Sequence, residues 1–237
     1  MNTDAITLTV DGKKIEARRG DTILEAADRA GVYVPRLCWM KDLLPAGGCR
    51  VCTVRVNGRP QAACTQPVAP GMVIENDTEE LRELRRDLID MLFVEGNHFC
   101  MFCEKSGNCE LQALAYRFGI TAPKFPFLFP QREVDASHPD VLIDRNRCVL
   151  CGRCVRASRA LDGKHVFGFS GRGPGKRLAV DGPDLAATDV AAPDRAVAAC
   201  PTGTLLVKRV GYKVPVGRRL YDHSPIGSEI EPQTPGK

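Results

Sequence analysis

Cys148-Val149-Leu150-Cys151-Gly152-Arg153-Cys154, answered after 45 residues by Cys200-Pro201, is the most specific stretch of this chain. Two-residue spacings wrap three thiolates around one face of a cubane 4Fe-4S cluster, and a remote cysteine followed by proline completes such a set. In two-cluster bacterial ferredoxins the Cys-Pro serves the other cluster. Here no second triplet stands near Cys200, so Cys200 is expected to close the same cluster as Cys148, Cys151 and Cys154. Arg145, Arg147, Arg153, Arg156 and Arg159 surround the triplet. They read equally as a solvated basic face or as charge set against the cluster.

Two further cysteine groups lie upstream. Cys38, Cys49, Cys52 and Cys64 form a close pair with two outliers, a pattern suited to a 2Fe-2S cluster. Gly47 and Gly48 before the close pair let backbone amides approach the sulfurs without a Cβ in the way. A structural zinc site also uses a Cys-x2-Cys knuckle, but usually two of them, and this group has one. Cys100, Cys103 and Cys109 make only three ligands for a second 4Fe-4S cluster. His98, two residues before Cys100, would point to the same side in an extended segment and is the candidate fourth ligand; the alternative is a plain surface histidine. His138, His165 and His223 have no cysteine near them in sequence. The eleven cysteines thus divide into four, three and four with none left over.

The flanking sequence predicts an α+β fold. Ile6–Val10 and Ile15–Ala17 alternate apolar and polar residues around Asp11-Gly12, and Thr53–Val56 runs into Asn57-Gly58, so two hairpins are expected. Thr22 with Glu25 is a capping box opening a helix over Ile23–Ala30, closed by Gly31. Strands, helix, cysteine loop and strand in this order suggest a small β-grasp ferredoxin-like domain over residues 1–78. Residues 79–136 are expected to hold a helix Glu79–Glu95, with Leu81, Leu84, Leu88 and Met91 or Leu92 on its buried face, a helix Cys109–Phe118, and an extended aromatic linker Ala122–Pro130. The linker's phenylalanines either lie across the protein itself or dock a partner. Residues 137–210 form the expected 4Fe-4S ferredoxin-type domain, and residues 211–237 an arm without chemistry of its own.

Composition excludes several classes. Aromatic residues make up only 6% of the 237, so metal centres are expected to supplement a lean core. The formal charge of +4 counts cysteines as neutral. Eleven ligating thiolates and three oxidised cores of about +2 each bring the total to roughly −1. With no basic block either, nucleic acid is not an expected partner. No apolar stretch approaches a membrane span, and no apolar segment follows the Arg18-Arg19 pair, so a reducing, cytoplasmic location is expected. There is no Gly-x-Gly-x-x-Gly, P-loop or serine-elbow motif, and the Pro174-interrupted stretch Ser170–Lys176 reads as a flexible turn. Redox centres without a substrate site describe a conduit between other proteins.

The ordered cysteine groups resemble the N-terminal region of the large iron–sulfur subunit of respiratory complex I and of iron-only hydrogenases. With Glu95-Gly96-Asn97-His98, Glu104-Lys105-Ser106-Gly107, Arg209-Val210-Gly211-Tyr212 and Pro215-x-Gly217-Arg218, the whole chain is similar to the small diaphorase subunits of NAD-reducing nickel–iron hydrogenases. In the complex I pattern the histidine falls where Gly96 stands here; the shorter spacing of His98 is shared with the hydrogenase branch. The resemblance implies a hetero-oligomer, with an FMN- and NAD-binding diaphorase subunit on one side and nickel–iron hydrogenase subunits on the other. The equivalent subunit of an NAD-linked formate dehydrogenase or a complex I-like module is the alternative within this class. A zinc-stabilised interaction protein is the alternative outside it.

Overall fold

A computed structural model describes residues 5–232; residues 1–4 of the first domain and 233–237 of the arm lie outside it. The chain begins with β1 (Ala5–Val10) and β2 (Lys13–Arg18), then α1 (Ile23–Arg29), β3 (Thr53–Val56), β4 (Arg59–Ala62) and β5 (Val73–Glu75). These strands form one sheet in the order β2-β1-β5-β3-β4, with β1 and β5 parallel and the other pairs antiparallel. Both hairpins turn on two residues of positive φ, Asp11-Gly12 and Asn57-Gly58, the geometry that matches strand twist. Leu8, Val10, Ile15 and Ala17 alternate inward to meet Ile23, Leu24, Ala26 and Ala27 of α1. The capping box is formed: Thr22 Oγ1 accepts from the Glu25 amide, and Glu25 accepts from the Thr22 amide at 2.8 Å. The sheet, with α1 laid on it, is the expected β-grasp arrangement.

Helix α2 (Glu79–Val94) corrects the expected face. Its buried positions are Leu81, Arg85, Ile89, Asp90 and Val94, while Leu84 and Met91 are exposed and Leu88 is half-buried. The reason is Arg85, 1% exposed, which an apolar count leaves out. It donates to the carbonyls of Val51 (3.2 Å), Asn76 (2.7 Å) and Thr53 (2.9 Å) and to Asn76 Oδ1 (2.9 Å). Burial lowers its pKa to about 10, so it stays charged at neutral pH. Helix α3 (Glu110–Arg117) follows, one residue shorter at each end than expected, with Cys109 as its N-cap. The linker lies against its own domain: Lys124 and Phe125 amides donate to Asp90 Oδ2 at 2.7 and 3.0 Å, and Leu128 N to Val94 O at 3.0 Å. Phe127, Leu128 and Phe129 nevertheless turn outward.

The remaining elements are β6 (Val134–Asp135), β7 (Val141–Asp144), α4 (Arg153–Ala160), β8 (Phe167–Ser170), β9 (Arg177–Val180), α5 (Arg195–Ala198) and β10 (Leu205–Val207). An antiparallel sheet β10-β7-β6 and the β8-β9 hairpin enclose a core of Ile143, Phe167, Leu178, Leu185 and Leu205. The glycine-rich stretch after Phe169 joins β8 to β9, with Gly171 (φ +72°) so close to Gly175 O that a Cβ would collide with it. A further core gathers Tyr33, Leu37 and Val51 of the first domain, Ile89, Leu111, Leu114 and Phe118 of the helices, and Ile226 of the arm. The described part of the arm is therefore anchored to the first domain and the helices.

Candidate iron–sulfur sites

Every cysteine is a free thiol, and the eleven fall into the three expected groups. Cys38 follows α1 on a loop; Cys49 and Cys52 turn into β3, and Cys64 follows β4. The Cys38 amide donates to Cys49 Sγ at 3.4 Å. Hydrogen bonds from Cys49 and Cys64 hold the Cys38 thiol far below its ordinary pKa. The same sharing, with burial, pushes Cys49 and Cys64 up. The four sulfurs thus lie within hydrogen-bonding reach as one group, Cys38 with Cys49 and Cys64, and Cys52 with Cys64.

Cys148, Cys151, Cys154 and Cys200 line one small cavity with Phe169, Leu178 and Thr204. Burial raises the Cys151 thiol to about 12, and Cys154 is raised well above its usual value. Leu150 (φ +52°) and Gly152 (φ +68°) bend the triplet; Arg50 (φ +61°) does the same between Cys49 and Cys52. Left-handed backbone at a non-glycine residue is costly and accumulates at functional sites. Arg50 and Leu150 carried no sequence signal of it.

His98, Cys100, Cys103 and Cys109 line a second small cavity, walled by Phe93, Gln112, Arg147 and Gly203. Cys100 opens a short 3-10 turn, Cys100–Phe102, so the segment is not extended throughout as expected. His98 nonetheless reaches the cavity. Its Nε2 is buried without a hydrogen-bond partner, and burial, with Arg147 assisting, lowers the imidazole to about 4. A neutral ring with an unused nitrogen is in the form that binds a metal. A Cβ on Gly96 would stand 2.7 Å from His98 Nε2 and 2.7 Å from Asn146 O. The imidazole nitrogen thus fills the space into which a side chain at position 96 would grow. His138 and His223 are engaged elsewhere, with the Asp140 and Val141 amides and with Gly217 O.

The third group touches the surroundings of both others. Arg156 Nη2 donates to Cys38 O at 2.6 Å and to Cys151 O at 3.3 Å. Arg153 forks onto Glu110 with two 2.6 Å bonds, and the Glu110 amide donates to Pro201 O at 2.9 Å. Arg147 donates to Cys103 Sγ at 3.4 Å. A Cβ on Gly203 would lie 2.7 Å from the same sulfur. Arg145, Arg147, Arg153 and Arg156 are therefore turned inward, and only Arg159 of the five is solvated. Among the described residues no three or more His, Cys, Asp or Glu side chains close on a point as they would around one metal ion. The second and third sets line cavities instead, and thiol-lined cavities of this kind fit polynuclear iron–sulfur clusters.

A β-grasp sheet bearing one thiol set, joined to two more in a ferredoxin-like setting, defines a multi-centre ferredoxin-type protein. The chain belongs to the family of gamma subunits of NAD-reducing hydrogenases. It is 43% identical to the NAD-reducing hydrogenase HoxS subunit gamma of Cupriavidus necator, over 92% of this chain and 94% of that protein. It superposes with a TM-score of 0.91 and 48% identity on a chain of a crystal structure of NAD+-reducing [NiFe]-hydrogenase in the H2-reduced state, covering 94% of this chain and 96% of that one. The 78 kDa subunit of mitochondrial NADH-ubiquinone oxidoreductase from Candida albicans is 37% identical over 71% of this chain, which spans 24% of that longer protein. Family models match in the order of the three groups: a 2Fe-2S iron-sulfur cluster binding domain over residues 3–79, an NADH-ubiquinone oxidoreductase-G iron-sulfur binding region over 85–124, and a 4Fe-4S single cluster domain over 141–207. No helix among the described residues is long and apolar enough to cross a membrane.

Proposed function

We propose that this chain is the iron–sulfur subunit that carries electrons between nickel–iron hydrogenase subunits and an FMN- and NAD-binding diaphorase subunit in the cytoplasm. The observation that carries this reading is the sorting of all eleven free cysteines, with the unpartnered His98, into three sets without remainder. Cys38, Cys49, Cys52 and Cys64 would hold a 2Fe-2S cluster. His98, Cys100, Cys103 and Cys109 would hold one 4Fe-4S cluster, and Cys148, Cys151, Cys154 and Cys200 another. Iron–sulfur clusters supply reversible one-electron chemistry. The protein's part is to hold the thiols, shield them with apolar walls and set inward arginines against their charge. The third set, bonded to the surroundings of the other two, is the middle of the relay. The Gly96–His98 contact supports the ligand role of His98.

Iron and acid-labile sulfide analysis of anaerobically purified protein tests this, with about ten irons per chain expected. Zinc without sulfide would end the reading. The substitution His98→Ala is expected to abolish or alter one cubane EPR signal while the other two centres persist; three unchanged signals would remove His98 from the ligands. In the native complex, co-purifying nickel and FMN are expected, and molybdenum or tungsten in their place would point to a formate dehydrogenase.

A further inference from the structure

The guanidinium of Arg147 has three acceptors that no solvated arginine would gather. Nη1 donates to Cys103 Sγ at 3.4 Å and to Glu104 Oε2 at 2.9 Å, and Nε faces Asp144 Oδ2 at 2.9 Å. The side chain is only 17% exposed, so these contacts escape most screening. Its own carbonyl accepts from Thr202 Oγ1 at 2.9 Å, which ties its backbone to the Cys200 loop. The two carboxylates offset the charge of the one guanidinium, so the arginine's field at the centre is reduced. What remains is the directed N–H···S bond, with Glu104 and Asp144 holding the planar fork in place.

We propose that Arg147 is a positioning residue for the second centre, which through its hydrogen bond to Cys103 makes that centre easier to reduce. A donor aimed at a ligating sulfur stabilises the form that carries one more electron, because that form places more negative charge on the thiolate. Arg147 is contributed by the segment that carries the third set. The domain of one centre therefore adjusts its neighbour, and the step in potential between the two is written partly into one side chain. The inference rests on His98, Cys100, Cys103 and Cys109 being one ligand set.

The test is a redox titration of the full-length protein followed by EPR, with Arg147→Met and Glu104→Gln compared. Arg147→Met leaves no N–H donor at this position and two carboxylates near Cys103. The midpoint of the second centre is expected to move negative, with smaller movement of the third and none of the first. Glu104→Gln keeps the arginine, still held by Asp144, and removes a negative charge. The same midpoint is then expected to move positive. A purely structural role would move both variants in one direction, or all three centres together, and either result overturns the proposal. So does an unmoved second midpoint in Arg147→Met. Titration of the unsubstituted protein separates the two possible failures. A missing second cubane signal there sinks the ligand assignment and the proposal with it, whereas a cubane present but indifferent to both substitutions sinks the role of Arg147 alone.

Discussion

At Gly96 the absence of a side chain is what allows His98 its place. A methyl group there would press on a backbone carbonyl and on the imidazole nitrogen, each 2.7 Å from the ideal Cβ position. The carbonyl of Asn146 already accepts from the Asn97 amide at 2.8 Å and yields poorly, so the imidazole must move. Gly96→Ala is expected to perturb the second centre much as His98→Ala does, leaving the other two EPR signals in place; a native spectrum would show that the ring does not need this space. The cysteines were legible in the sequence because ligand spacing is local, and His98 because the middle group lacked one ligand. Arg147 and Gly203 were not legible as parts of the second site. Their contact with Cys103 spans 44 residues or more of chain, and nothing in the intervening sequence encodes it.

Among the elements, the hairpins were legible and the burial of α2 was not. Two-residue turns such as Asn57-Gly58 determine register by backbone conformation alone, so strand pairing follows from the sequence. Helix α2 is decided by hydrogen bonding that periodicity cannot register. Arg85 occupies a core position because four acceptors from β3, its preceding turn and the loop after β5 converge on it. Arg85→Met keeps much of the volume but strands those acceptors in the interior. It is expected to cost about 3 kcal/mol, seen as loss of the visible iron–sulfur absorbance at lower denaturant; an unchanged midpoint would mean that the carbonyls find other donors. The linker Ala122–Pro130 takes the first of its two expected roles, lying across the protein's own helix. Its backbone is tied to α2 through Asp90 and Val94, and the side chains of Phe127 and Leu128 are left facing outward.

Across the molecule, the arm binds the modules together. Arg117 donates to Ile226 O at 2.8 Å and pairs with Glu231, while its guanidinium lies 4.6 Å from the centre of the Tyr33 ring. Gly227 (φ +98°) packs on the other side of this junction, where a Cβ would come within 2.5 Å of the Tyr33 ring. Gly227→Val therefore combines backbone strain with a clash, a change expected to destabilise by about 1–3 kcal/mol. Limited proteolysis should then cut within 221–232 at protease levels that spare the unsubstituted protein. Equal resistance would mean that the arm re-seats without its glycine.

The wall that Arg147 and Gly203 give to the second cavity makes a site encoded early depend on chain encoded later. Those residues follow Cys109 by 38 and 94 positions in the chain. The His98 set is a complete vessel only after the Cys148–Cys200 domain has closed around its own core. Without that domain the three thiols and His98 lack two of their walls, so the shelter of the middle set is a property of the whole chain and not of its own segment.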